Sequence, residues 1–340
     1  MNPTRFQVIT EKYRQLRIAV LGDFCLDRYL EIDPAKKEIS IETGLPVHNV
    51  VNIRSQPGGA GTILNNLVAL GIGEIFPIGF CGTDGEGFEL RRALQQPGVQ
   101  LNYFFESKTR RTFTYCKPLV IEPGKAPVEL NRLDTKNWTP TPAVLQGKLM
   151  DALFKLAPKI DALIVLDQVD TLETGVVTKK ILGALQSLGK THSQLLILAD
   201  SRANLKNFPP VTWKMNRDEL ATLVDVKDEL ELHDIKETAA ALARQNGKNV
   251  FVTLSEQGLL GASPAGEIEH VPSLPLRAKT DVVGAGDAVT ANLATALAAG
   301  AELREALEIA NAAASIVIHQ LGTTGTAEVK QIGELLGSQQ

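Results

Sequence analysis

The residues best suited to joint chemistry are Asp281, Val282, Val283, Gly284, Ala285, Gly286 and Asp287, followed by a run of small residues. Gly284 and Gly286 let the backbone turn tightly and approach a ligand closely. A helix starting here leaves unpaired N–H groups at the positive end of its dipole. Gly284, Ala285 and Gly286 would then form an anion hole suited to a phosphoryl group in transit. Asp287 falls in the first turn beside that hole, where a carboxylate can take the proton of an attacking hydroxyl. Taken alone, the same segment is equally an acidic helix start with turn glycines.

Two further clusters fit a polyol. Gly22-Asp23-Phe24-Cys25-Leu26-Asp27 ends the first apolar run, and open parallel sheets bind ligands at that end of their strands. Asp27 is placed to accept hydrogen bonds from hydroxyls, although an Asp there also suits a plain turn. Pro57-Gly58-Gly59-Ala60-Gly61-Thr62 permits close backbone approach, but no glycine completes a dinucleotide GxGxxG. Lys214–Glu219 and Thr253–Gly258 read in isolation as an ordinary polar helix start and a strand-end turn. Gly189-Lys190-Thr191 resembles the tail of a phosphate-binding P-loop, yet Ala184 stands where the first glycine is required. Gly189 reads instead as a helix C-cap. The five histidines show neither HxH nor HExxH spacing, which argues against zinc.

Strands and helices must alternate to position these groups. Arg17–Leu21, Glu74–Phe80, Ala162–Leu166, Leu195–Ala199 and Val250–Leu254 read as buried strands. Gly59–Leu70, Gly85–Leu94, Glu173–Leu188, Ile235–Gln245, Ala285–Ala299 and Leu303–Ile318 read as helices. The expectation is an α/β fold over residues 1–340, a three-layer sandwich with a mostly parallel sheet. Tyr29–Ile53 and Thr109–Asp134 lack helices and alternate in the β manner, which predicts a small antiparallel lid over about 29–53 and 109–134. Its apolar face must be covered, by the cleft and by a second copy of the chain, so a homodimer through the lid is expected.

Bulk composition narrows the class. A net charge of -4 gives no basic excess for nucleic acid. No apolar run reaches the roughly 18–20 residues of a membrane span, and Met1–Arg17 has no signal-peptide core. Cys25, Cys81 and Cys116 lack CxxC spacing and read as reduced, packed thiols of a cytoplasmic protein.

Together these motifs resemble the PfkB (ribokinase-like) carbohydrate kinases, in the family's order from about Arg17 to Thr324. The resemblance implies a ribokinase-like fold and ATP-dependent phosphorylation of a sugar hydroxyl. Asp287 would be the base, and the Gly284, Ala285 and Gly286 amides the anion hole. Asp27, Gly58, Gly59, Thr62 and Asn66 would bind the sugar. Asn216 and Glu219 would lie near Mg²⁺ and the ATP phosphates, and Thr253, Ser255, Gly258 and Asn311 near the nucleotide. A potassium ion would sit by Asp281 and Val283.

Within the family, Gly22–Tyr29, Glu38–Glu42 with Pro46-Val47, Leu133-Asp134 and Ser255–Gly258 look like the kinase half of bifunctional ADP-heptose synthase. That implies D-glycero-β-D-manno-heptose 7-phosphate as acceptor, with Arg28, Lys117 and Arg132 as candidate cations for its phosphate. Three positions depart from the pattern: Thr62 replaces an asparagine, Ser255 a glycine, and Asp167–Thr171 lacks a tyrosine and a lysine. Other acceptors (ribose, fructose, a nucleoside) keep the mechanism, and a non-catalytic sugar or nucleotide sensor keeps the fold.

Overall fold

The computed structural model describes residues 1–203, 205–227 and 230–338. Helix α1 (Pro3–Thr10) leads into β1 (Arg17–Gly22). Strands β2 (Phe24–Ile32), β3 (Glu38–Ile39), β4 (Pro46–Val47) and β5 (Val50–Gly59) follow without an intervening α-helix. Next come α2 (Ala60–Ala69), β6 (Glu74–Gly82), α3 (Gly85–Leu94), β7 (Phe104–Ser107), β8 (Thr114–Val120) and β9 (Val128–Glu129). The chain continues through α4 (Ala143–Leu156), β10 (Ala162–Asp167), α5 (Lys179–Thr191), β11 (Leu196–Ser201), β12 (Thr212–Asn216) and α6 (Arg217–Leu223). It then runs through α7 (Leu232–Asn246), β13 (Val250–Thr253), β14 (Leu259–Ala262), β15 (Ile268–Val271), α8 (Ala285–Ala298), α9 (Leu303–Val317) and α10 (Val329–Gly337).

The main sheet has nine strands in the order β15-β14-β13-β12-β11-β10-β1-β6-β7. Strands β7 through β13 pair parallel, and β14 and β15 add an antiparallel edge. On β1, Ile18 and Val20 enter one apolar layer, Ala19 and Leu21 the other. On β10, Ile164 and Leu166 oppose Leu163 and Val165 in the same way. Both faces are therefore dry, which is why these strands read as unbroken apolar runs. α2, α8 and α9 fill one layer, α4, α5 and α7 the other. All three cysteines are free and buried, on β2, β6 and β8.

The segments expected to form a lid make a second sheet in the order β5-β2-β8-β9. It departs from expectation in one respect: its central pair, β2 and β8, is parallel. Both strands follow the carboxyl ends of parallel strands of the main sheet, β2 directly after the interior strand β1 and β8 soon after the edge strand β7, so they enter the lid in one direction. The lid is also longer than expected, running from Phe24 and back to Gly59, so Asp27, Gly58 and Gly59 belong to its strands. Helix α5 begins at Lys179, not Glu173, because Glu173 takes a left-handed φ of 64° and Thr178 caps the helix. Gly189 lies inside its last turn and is not the C-cap; His192 is.

A polar neck joins the two sheets. Asp23, fully buried after β1, accepts N–H bonds from Gln168 (3.0 Å), Val169 (3.2 Å) and Val176 (2.6 Å). Arg110 donates to the carbonyls of Thr139 (2.8 Å) and Thr174 (2.6 Å). Asn137 exchanges two bonds with the Arg111 backbone, closing the second pass of chain.

Candidate active site

Helix α8 starts because Gly284 takes a φ of 85°, and a Cβ there would come 3.2 Å from Thr324. Of the three amides expected to form the anion hole, that of Ala285 is already taken by the Val282 carbonyl at 3.2 Å. Among the described residues, the N–H groups of Gly286 and Asp287 meet no protein acceptor. The N–H of Gly284 is likewise without an acceptor among the described residues, so two of the three expected amides stay open and that of Asp287 joins them.

A buried ion pair borders that corner. Asp200, at the end of β11, accepts bonds from Lys214 Nζ at 2.8 Å and from Thr290 Oγ at 3.0 Å. Asp200 and Lys214 are direct cross-strand neighbours, and Thr290 lies one turn beyond Asp287 on α8. A Cβ on Gly286 would come 3.3 Å from Lys214 Nζ, so the ammonium flanks the open amides. Burial alone would depress the Lys214 pKa, but Asp200, Glu219 and Asp287 together hold it above its ordinary value. Asp200 lies in no motif, and Lys214 read only as the first residue of a polar helix start, whereas it belongs to β12 and the helix begins at Arg217; position at a strand end was the available signal for both.

Asp287 is half-buried and faces this cluster. Its pKa is pushed up to about 7 by burial and by Asp200, against the pull of Lys214 and Arg202. Asp27 adds a smaller upward push, so the lid carboxylate and the helix carboxylate share one field. Burial and Asp200 also raise Glu219. No group of three His, Cys, Asp or Glu able to hold a metal directly is present among the described residues.

Asn216 and Glu219, expected near the nucleotide, form a reciprocal capping box on α6, each side chain bonding the other's backbone N–H at 2.8 Å. Thr253 ends β13. Ser255 sits at a φ of 51°, a left-handed conformation that a glycine would adopt without strain. Gly258 has no alternative: a Cβ there would lie 2.1 Å from the Val271 carbonyl. Asn311 is buried and its amide is taken by Pro272 O at 2.9 Å, so it braces the strand-β15 exit. Asp281 braces its own turn, accepting N–H bonds from Val283 (3.1 Å) and Gly322 (3.3 Å).

On the lid side, the Asp27 carboxylate lies against Gly58, where a Cβ would come within 2.8 Å of it. Gly59 has a φ of 57°, and a Cβ there would meet Asp23 O at 2.5 Å. Thr62 and Asn66 do not join them. Thr62 is 1% exposed with its hydroxyl on Pro57 O, and Asn66 is fully buried with its amide on Thr62 O. Both are held inside α2, where that helix packs on α8, so neither presents a polar atom to the cleft. Burial raises the Asp27 pKa, while Lys117, Arg132 and Arg202 draw it down.

Residues 16–330 match the family model described as pfkB family carbohydrate kinase. The bifunctional protein HldE of Nitrobacter hamburgensis is 29% identical over 330 residues, covering 95% of this chain and 64% of that protein. The chain thus spans somewhat under two thirds of that relative's length. Phosphofructokinase-2 from Escherichia coli, solved with substrates and products, superposes with a TM-score of 0.73 at 19% identity, covering 95% of this chain and 99% of that one. Arabidopsis thaliana ribokinase, solved with ribose and ATP, gives 0.70 at 19% identity, covering 94% and 98%. These likenesses identify the fold as ribokinase-like.

Replacing Lys214 by Met strands the buried Asp200. Urea unfolding should show a loss of about 3–5 kcal/mol, and adding Asp200→Leu should recover most of it. Equal stability of Lys214→Met and the parent would show that the pair contributes nothing.

Proposed function

The chain belongs to the PfkB family of carbohydrate kinases, and from that premise we propose that it moves the ATP γ-phosphoryl group to a hydroxyl of a sugar phosphate. The acceptor implied by the resemblance to heptose kinases is D-glycero-β-D-manno-heptose 7-phosphate. The observation that carries the reading is the half-buried Asp287 carboxylate, set beside unbonded helix N–H groups and the Lys214 ammonium.

In this reading Asp287 takes the proton of the attacking hydroxyl. The Gly286 and Asp287 N–H groups and Lys214 face the oxygens of the phosphoryl group, where positioning and charge supply most of the rate. Asp27 orients the sugar from the lid, whose closure would exclude water. Mg²⁺, when bound with ATP, would neutralise phosphate charge. The crowding of Asp200, Glu219 and Asp287 around one lysine suits a cation there. Because Asn216 and Glu219 are engaged in their capping box, they would meet it through water. A potassium ion by the turn at Asp281 and Val283 belongs to the same proposal.

The lid supports a charged acceptor. Strand register puts Asp27, Tyr29, Tyr115 and Lys117 on one face. Lys117 lies 5.2 Å from the Tyr29 ring, and Arg132 5.1 Å from the Tyr115 ring. Arg28, the third candidate, points to the opposite face and is held by Glu86 (3.0 Å) and Glu89 (2.9 Å). Lys117 and Arg132 remain as the pair for a distal phosphate. The same lid exposes Ile39, Ile41, Leu45, Val51 and Ile53, an apolar surface suited to a second copy.

ADP release should be measured over a panel of sugars and sugar phosphates. Turnover should appear on a sugar phosphate and fall by about 10²–10⁴-fold in Asp287→Asn. Near-normal turnover in that variant would defeat the assignment. For the parent, kcat/KM should rise with pH through about 7, as Asp287 loses its proton; a flat profile between pH 5 and 8 would remove Asp287 as the base. The unfolded chain releases this proton near pH 4. The contribution of Asp287 to stability therefore declines as pH rises from about 4 to 7. Sedimentation should show a dimer that Ile53→Glu converts to monomer.

A further inference from the structure

A cavity of about 820 Å³ lies between the 168–178 segment, the first half of α5, Ala203 and residues 207–210. None of Asp27, Gly58, Asn216, Gly258 or Asp287 lines it. Its size falls within the range of small-molecule sites, roughly 300–1,000 Å³. Leu182, Phe208, Pro209 and Pro210 supply apolar wall, while Asp167 and Glu173 supply two carboxylates.

One oxygen of each carboxylate is already used. Asp167 Oδ2 accepts the Ser201 hydroxyl at 2.8 Å, and Glu173 Oε1 accepts the Lys179 N–H at 2.9 Å. The second oxygen of each meets no donor among the described residues. Lys179 also lines the cavity, but its side chain is solvent-exposed.

The wall is built in advance of any occupant. Glu173 is held in its left-handed conformation, a strain of about 1–3 kcal/mol, with Thr141 N–H on its carbonyl at 2.7 Å. Asp23 fixes the same segment at three amides, and Arg110 fixes it at Thr174. Gly183 adds an independent observation. It is exposed on the cavity wall in the middle of α5, and a Cβ there would meet nothing within 4 Å. A mid-helix glycine costs about 1 kcal/mol against alanine, and packing does not require this one. Its bare backbone leaves room for a ligand against the helix.

We propose that this cavity is a second ligand site that takes a small primary amine with an apolar body, its ammonium held by Asp167 and Glu173. The site adjoins the phosphoryl corner, because Asp167 bonds Ser201, the neighbour of Asp200. Burial, with Asp23 and Asp200 nearby, pushes the Asp167 carboxyl up to about 7, so measurements at pH 8 keep it largely ionised.

Phenethylamine is a suitable probe, with 2-phenylethanol as its uncharged match, titrated against the full chain at pH 8 by calorimetry and saturation-transfer NMR. The amine should bind saturably and at least about tenfold more tightly than the alcohol, the discrimination expected of a charged hydrogen bond. Gly183→Phe should abolish that binding by filling the cavity, with circular dichroism unchanged. Gln186→Trp, from an exposed position on the same wall, gives a second block should the first variant misfold. Absence of saturable amine binding, equal binding of the alcohol, or full amine binding by a folded blocked variant would each overturn the proposal.

Discussion

One lysine buried among carboxylates organises the carboxyl end of the main sheet beside α8. Lys214 and Asp200 sit on adjacent parallel strands, and Thr290 extends the contact to α8. The pair thereby ties the sheet to the helix that carries Asp287. Removing two charges from water is expensive, and the attraction between them offsets that only when geometry and hydrogen bonding are good. Here a direct 2.8 Å contact and a hydroxyl donor meet that condition. The surplus of negative charge is what keeps Asp287 poised: burial and Asp200 raise it, and Lys214 stops it from rising further.

The lid depends on a different device. Two strands, one following β1 and the other β7 with β6 between them, meet again as parallel partners, so the lid is rooted at two points. The roots are fastened by Asp23 and Arg110, both buried and both bonded almost entirely to backbone. Burial raises the Asp23 pKa and its three N–H donors oppose the rise. Among the described residues, Arg110 meets carbonyls and the Phe80 ring but no carboxylate. Such groups hold loops in one arrangement, because backbone donors and acceptors left unpaired in the interior would be costly. The 168–178 segment owes its fixed shape to them.

Local rules carried a large part of the reading. Strand and helix positions followed from apolar periodicity, and α3 was legible to the residue from its Gly85 and Leu94 boundaries. Gly284 was legible because its constraint, a positive φ, is steric and local, whereas the need of Gly58 to clear the Asp27 carboxylate is set by the pairing of β2 with β5. Helix α5 was misjudged at its start because the left-handed turn at Glu173 depends on Thr141, far away in sequence.

By itself, then, the sequence determined the alternation of elements, the family's motif order and Asp287 at a helix start. These are properties of short stretches, set by side-chain period and backbone sterics. Tertiary structure alone decided the pairing of Lys214 with Asp200, the burial of Thr62 and Asn66, and the side of the lid that Arg28 takes. Each of those depends on strand register or on helix packing between distant segments. A shift of one residue in register sends a side chain to the opposite face, and no local pattern encodes which register wins.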